Sequence, residues 1–373
     1  MQREVPRWRD RIRARSARTI LLGRVLHRRY SRAFWAVHSG WALFTGGLVL
    51  VLAHNRYGFL PWVVFFLTLT WASTLFFSRF AVPGSSPGLR LAQGFVSYLT
   101  RVMYQETLFF LLPFYFFSTT FPSWNSGYVV ALAGLAVLSC FDLLFDRLLR
   151  TRRPFAVGFF AVVTYSALQF FLPLFLHVQI HNGAYLAAGL AFFASLPVAY
   201  TWRELRQKRR LALIAVALLA IVAVLKFGRA LLPPVPLRLS AMSFAADVDP
   251  QTLQLEHELK KVAPVSELVA GRLCVRATIF SPGRLPVHLR FRFYRNGTLV
   301  KSSRSLDLVA HPRGFRVWDA LRAGPQGIRP GAYRVEVVTD EGQLVGRGNI
   351  TITADPLRAA FASTSAPPHR PGS

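Results

Sequence analysis

Residues 211–225 are apolar without a break, and no other stretch constrains the chain as much. A bilayer-spanning helix needs roughly 17 to 25 predominantly apolar residues. The run from Leu211 to Phe227 meets that length if the single Lys226 snorkels to the interface. Five basic residues (Arg203, Arg206, Lys208, Arg209, Arg210) precede it, and Leu231-Leu232-Pro233-Pro234-Val235-Pro236 follows it. Before this stretch the chain reads as membrane. After it the chain reads as a domain built for water.

Composition supports that division. The chain is 53% hydrophobic with 17% charged residues, where a soluble domain carries about 25%. A net charge of +28 would suit nucleic acid, but its distribution argues otherwise. Residues 1–230 hold 26 Lys+Arg against 6 Asp+Glu, and nearly all the cations lie between apolar runs. Loop charge of this kind sets topology and does not line a groove, so no nucleic-acid partner is expected. Cys140 falls in an apolar run and Cys274 in the C-terminal part. Placed in different compartments, they are not expected to pair.

Seven apolar segments are predicted to span: 34–53, 59–77, 103–121, 127–145, 155–176, 183–200 and 211–227. Residues 1–33, with 11 Arg against Glu4 and Asp10, read as a basic cytoplasmic tail. The connections alternate rich and poor in basic residues, ending with four between 146 and 154, none between 177 and 182, and five between 201 and 210. Positive loops stay in the cytosol, so the N-terminus is expected inside and the C-terminal domain outside the bacterial inner membrane. Residues 88–104, part apolar and part polar, lie on the interface, extend the third segment or span alone; the last would reverse the orientation.

Residues 230–240 read as a Pro-rich, stiff linker. Beyond them the pattern becomes two-residue: Val287-His288-Leu289-Arg290-Phe291-Arg292-Phe293 alternates and leads into Asn296-Gly297, the strongest short hairpin signal. A second hairpin is expected around Thr339-Asp340-Glu341-Gly342, and 240–247, 273–280 and 314–321 supply further strands. About seven short strands over 241–354 predict a β-sandwich. Residues 256–269 are read as holding a short helix, and the tail 355–373 as disordered. The expected fold class is an α-helical membrane bundle of about seven transmembrane helices followed by an all-β, sandwich-like extracytoplasmic domain.

Phe293-Tyr294, Asn296-Gly297, Phe315, Trp318, the run Gly331-Ala332-Tyr333-Arg334-Val335-Glu336-Val337 and the stretch Asp340 to Leu344 carry a resemblance. Over 273–352 the chain resembles a bacterial module catalogued as domain of unknown function 2914. Phe293 and Tyr333 stand where that pattern favours Trp. The resemblance implies a small extracytoplasmic β domain and brings no catalytic residues. The helical half looks like an uncharacterised multi-pass region found ahead of such modules.

Polar residues inside spans are functional suspects. Arg101, Glu106, Asp142 and Asp146 form an expected intramembrane polar cluster, with Tyr165 and Gln169 in the fifth segment. Lying near span ends, the charges suit ion pairs that fix packing better than a proton or cation pathway. His177 and His181 are four apart, but they lack the third ligand and glutamate base of a zinc site. The chain has no P-loop, H-E-x-x-H or G-x-S-x-G, so no enzyme and no cofactor is expected. A two-residue Asn-Gly turn would set Arg292 opposite Lys301, with Arg290 beyond, making an anion-facing patch. Trp318 and Tyr333 are expected in the core. The leading expectation is an envelope protein whose partners are the lipid bilayer and an envelope protein or anionic envelope component. A transporter or channel subunit using the carboxylates, or a sensor without its own output domain, are the alternatives.

Overall fold

The computed structural model describes residues 87–355, apart from a few loop positions (250–251, 253, 269–270, 284, 310, 312–313 and 323–327), and isolated positions between 37 and 69. The predicted basic tail, the first two segments and the tail from 356 lie outside the described residues.

The helical part runs α1 (Pro87–Phe117), α2 (Ser126–Cys140), α3 (Asp142–Thr151), α4 (Arg153–Leu176), α5 (Ile180–Ala199), α6 (Trp202–Leu205) and α7 (Lys208–Phe227). Residues 88–104 are continuous with the third segment, inside the 31-residue α1, which is about 46 Å long. Residues 127–145 are not one helix. The chain breaks at Phe141, where a 15-residue, largely apolar helix gives way to the amphipathic α3. Alone, α2 reaches about 22 Å, short of the hydrocarbon thickness. Among the described residues three helices, α4, α5 and α7, are long and apolar enough to cross a membrane. That is fewer than the seven expected spans.

The three helices differ in what they touch. α4 and α5 form an antiparallel pair in which Ala184, Ala187, Ala188 and Ala191 are buried on one face of α5. Such small residues let two backbones approach closely. Gly183 marks the tightest point, because a Cβ there would lie 2.9 Å from Pro173. α7 is apolar on all sides yet only 6% of its apolar window is buried. A helix of that kind requires an apolar solvent around it. The turn before it is closed by a capping box: Thr201 Oγ1 accepts from the Glu204 amide, and Glu204 accepts from the Thr201 amide at 2.7 Å.

The C-terminal part is a two-sheet sandwich. Its strands are β1 (Arg238–Val248), β2 (Leu255–Leu259), β3 (Val262–Pro264), β4 (Arg272–Phe280), β5 (His288–Arg295), β6 (Thr298–Ser302), β7 (Leu306–Asp307), β8 (Phe315–Arg322), β9 (Gly331–Thr339) and β10 (Leu344–Thr353). The first sheet has the order β2-β1-β4-β8; the second has β3-β10-β9-β5-β6, with β7 also on β5. Alternation decides the facing: Leu289, Phe291 and Phe293 are fully buried while the arginines between them point outward. Residues 256–269 hold two strands and a 3₁₀ turn, Val265–Glu267, in place of the predicted helix. Tyr333 is in the core, but Trp318 is half-buried on the outward side of β8, next to buried Val317.

The expected linker is not a free spacer. Val235 is wholly buried in the helical core and Leu237 wholly buried in the sandwich core, two residues apart. Leu174 packs against both cores, and Ile180, the first residue of α5, is a member of the sandwich core. The β domain therefore stands on the helix ends through shared apolar packing.

Both cysteines are free and buried. Burial and the nearby Asp247 push the Cys274 thiol up to about 11, so almost no thiolate exists at neutral pH. Folded protein should resist iodoacetamide at Cys274 for hours at pH 7.5 and react within minutes in urea. Mass spectrometry of the β4 peptide reads this, and rapid labelling of native protein would contradict the packing.

Candidate functional site

The second sheet turns one face away from the sandwich core, and arginine dominates it. Arg290 and Arg292 come from β5, Arg334 from β9 and Arg347 from β10. In the register, Arg292, Glu336 and Arg347 lie side by side across three strands. Glu336 is the shared carboxylate: Arg347 donates from Nε and Nη2 to its Oε1 at 3.1 and 2.9 Å. Arg334 Nε is 3.3 Å from the same oxygen, an ion pair without the alignment of a hydrogen bond. Arg334 also lies over the Tyr294 ring at 4.6 Å.

The loop between α1 and α2 closes over this face. Arg347 Nη1 donates to the Pro122 carbonyl at 3.1 Å, and Asn125 Nδ2 donates to the Leu344 carbonyl at 3.3 Å. Asn125 is buried by the contact, and so is Val338 although it lies on the outward side of β9. Between loop and sheet remains a cleft of about 530 Å³ whose lining includes Ser123, Trp124, Ser126, Arg292, Glu336 and Arg347. Its volume falls in the range of small-ligand sites.

Below the cleft, two glutamines clasp the linker. Gln343 Nε2 reaches the Leu232 carbonyl at 3.4 Å, and Gln169 Nε2 reaches the Pro233 carbonyl at 3.5 Å. Gln169 accepts from the Tyr115 hydroxyl, which also donates to the Ser166 carbonyl at 2.8 Å; Tyr128 and Ser166 share a hydrogen bond at 2.7 Å. Beside them the Tyr165 hydroxyl is buried without a hydrogen-bond partner among the described residues. On the far side of the seam, His181 Nδ1 is 3.0 Å from Glu341 Oε1.

Of the expected intramembrane cluster, Arg101 and Asp146 meet at 3.8 Å, joining α1 to α3. Glu106 is five residues beyond Arg101 on the same helix, about 140° around it, and so faces another way. Asp142 is the first residue of α3. His177 caps α4, and no group of three or more potential metal ligands exists among the described residues.

The expected anion-facing patch is corrected. A bulge between Phe293 and Tyr294 shifts the register, so Lys301 pairs with Phe293 and Arg292 with Ser302. One added residue turns a side chain to the opposite face. Lys301 therefore turns inward, over the Phe293 ring at 5.4 Å, and bridges to Asp319 at 2.8 Å on the other sheet. Arg290 is held by Asp340 at 2.7 Å. Burial pushes the Asp340 carboxyl up, but hydrogen bonds from Arg290 and Ser305 outweigh it and hold the carboxyl below its usual value. Arg292 alone of the three opens into the cleft.

Sequence reasoning missed Arg334, Glu336, Arg347 and the loop residues Pro122 to Ser126. Parity on β9 was a usable signal, since Arg334, Glu336 and Val338 share one face; the loop's approach left no trace in either segment.

No curated protein matches the chain. A family model does match, over residues 15–273, from within the basic tail to the second residue of β4. It is not the module whose likeness begins at 273, and it crosses the linker and takes in β1, a central strand of the first sheet. The linker that joins helices and sandwich thus lies inside the matched region, and the chain belongs to the family of unknown function DUF5924.

Proposed function

We propose that this chain is a multi-pass protein of the bacterial inner membrane that presents its β-sandwich rigidly on the extracytoplasmic side, for binding or assembly in the envelope. The exterior sandwich follows from the five basic residues between 201 and 210, which hold the start of α7 in the cytosol, and the cytoplasmic N-terminus from the basic tail. The observation that carries the reading is the seam. Ile180 enters the sandwich core from a helix end, and Val235 and Leu237 root the linker in both cores. A domain fixed in that way keeps one face at a constant height and angle to the bilayer. The face so held is the arginine-rich one, and its partner is an anionic envelope component or an envelope protein with a matching acidic surface.

The carboxylates take a packing role in this reading. The Arg101–Asp146 pair ties the middle of α1 to the amphipathic α3, and charges already paired with each other suit anchoring better than transport.

Two measurements test the proposal. A reporter fused after Ser373 should be active only when exported; activity confined to the cytoplasm overturns the orientation. The His181→Cys, Glu341→Cys double variant should close with a short bismaleimide in membranes far faster than after denaturation, because the native side chains meet at 3.0 Å. Equal rates would mean the sandwich is not fixed to the helices.

A further inference from the structure

We infer that the cleft between the α1–α2 loop and the second sheet binds the phosphate headgroup of an anionic phospholipid. The inference rests on the display reading above for which leaflet supplies the lipid.

The first support is a charge count. Three arginines (Arg292, Arg334, Arg347) surround the single carboxylate Glu336, and Arg334 and Arg347 already occupy it from two sides. Arg292 stands beside Glu336 in the register, yet its side chain forms no ion pair or hydrogen bond among the described residues. It is half-buried and lines the cleft. Next to the cleft residue Ala230, Arg229 has its Nε buried without a hydrogen-bond partner among the described residues. Leaving buried donors unmade is costly. A phosphate in the cleft would give the Arg292 side chain a partner, since the planar guanidinium fork matches its oxygens better than an ammonium does.

The second support is the surface next to the cleft, which selects a lipid over a free anion. Phe121 directly precedes the lining residues Pro122 to Trp124, and it packs on Phe116, which in turn meets Phe117. All four aromatics are exposed, Trp124 at 79%. Arg238 lies over the Phe117 ring at 5.0 Å and Lys226 over Phe227 at 5.9 Å. Aromatic rings with basic neighbours at helix ends form the belt that sits at headgroup level. A headgroup held at Arg292 would leave its acyl chains beside Phe121 and Phe116. A free phosphate makes no use of that apolar wall.

The test uses the full chain, purified and presented with vesicle lipids, and native mass spectrometry to count retained lipid. Phosphatidylglycerol should be retained over phosphatidylcholine, and Arg292→Gln should lower that retention about tenfold, as loss of a charged hydrogen-bond donor implies. Arg290→Gln removes an equal charge from the same face, but one already held by Asp340, and should leave retention within twofold. Thermal melting of Arg292→Gln should match wild type, which separates loss of the site from loss of the fold. Equal retention in Arg292→Gln, an equal fall in Arg290→Gln, or no preference for phosphatidylglycerol overturns the inference. Displacement of the lipid by millimolar glycerol phosphate overturns the lipid as occupant and makes the site one for free phosphate esters. None of these failures touches the orientation or the cross-link, so the display reading would stand or fall separately.

Discussion

Gly346→Val should destabilise the sandwich by about 3 kcal/mol or more. Gly346 lies on β10 where β1 of the other sheet crosses it, and an added Cβ would fall 2.2 Å from Leu239 Cδ2 and 2.6 Å from Leu239 Cβ. The nearer atom ends a side chain and can swing aside. The Leu239 Cβ is tied to its backbone, and β1 is paired on its other edges to β2 and β4. The sheets must therefore part, losing contacts along both inner faces. A melting temperature lower by about 10 °C is expected, together with accelerated labelling of Cys274. Leu239→Gly in the same chain should recover part of the loss, since it removes the Cβ that the added side chain meets. A valine variant that melts with wild type would show that β1 and β10 do not approach as described.

Glu336→Leu is the second large effect. The carboxylate is 12% exposed and carries ion pairs from two arginines, so its removal leaves a cluster of like charges on three adjacent strands. Breaking a buried pair from one side costs about 3 kcal/mol or more. The damage should also spread to the helical part. Arg347 holds Pro122 by Nη1 while Glu336 holds the rest of its guanidinium in place. Hydrogen exchange should rise in the α1–α2 loop and at β10, and stay at wild-type level in the α4–α5 pair. Converting Arg347 to Met in the same chain should relieve part of the cost, giving a coupling energy of 1 kcal/mol or more in the double-mutant cycle. A single-variant loss below about 0.5 kcal/mol would reduce the cluster to a screened surface pair.

The anion-facing patch shows where reading from sequence ran out. Asn296 and Gly297 adopt positive φ of 47° and 87°, as the hairpin signal requires. The bulge three residues away carries no such signal, because nothing in Phe293-Tyr294 marks an extra residue on the facing strand. One shifted position moved Lys301 from the patch to an inter-sheet ion pair. The fourth segment failed for a related reason. Hydropathy averaged over 127–145 does not see that one peptide, at Phe141, leaves the helical region with ψ of 75°.

The amino-acid order by itself determined what depends on neighbours along the chain. The apolar run ending in Leu225, the two-residue alternation through Phe291 and the Asn-Gly turn each rest on local periodicity or backbone preference. Tertiary structure alone decided what depends on approach across long separations. Ile180 completes a core built mainly from residues beyond 230, Asn125 meets Leu344, and Arg347 reaches Pro122 across more than 200 positions. Closing such loops adds free energy that grows only slowly with their length, so sequence distance does not say which distant pairs meet. The arginine cleft exists because that docking happened, and no single segment encodes it.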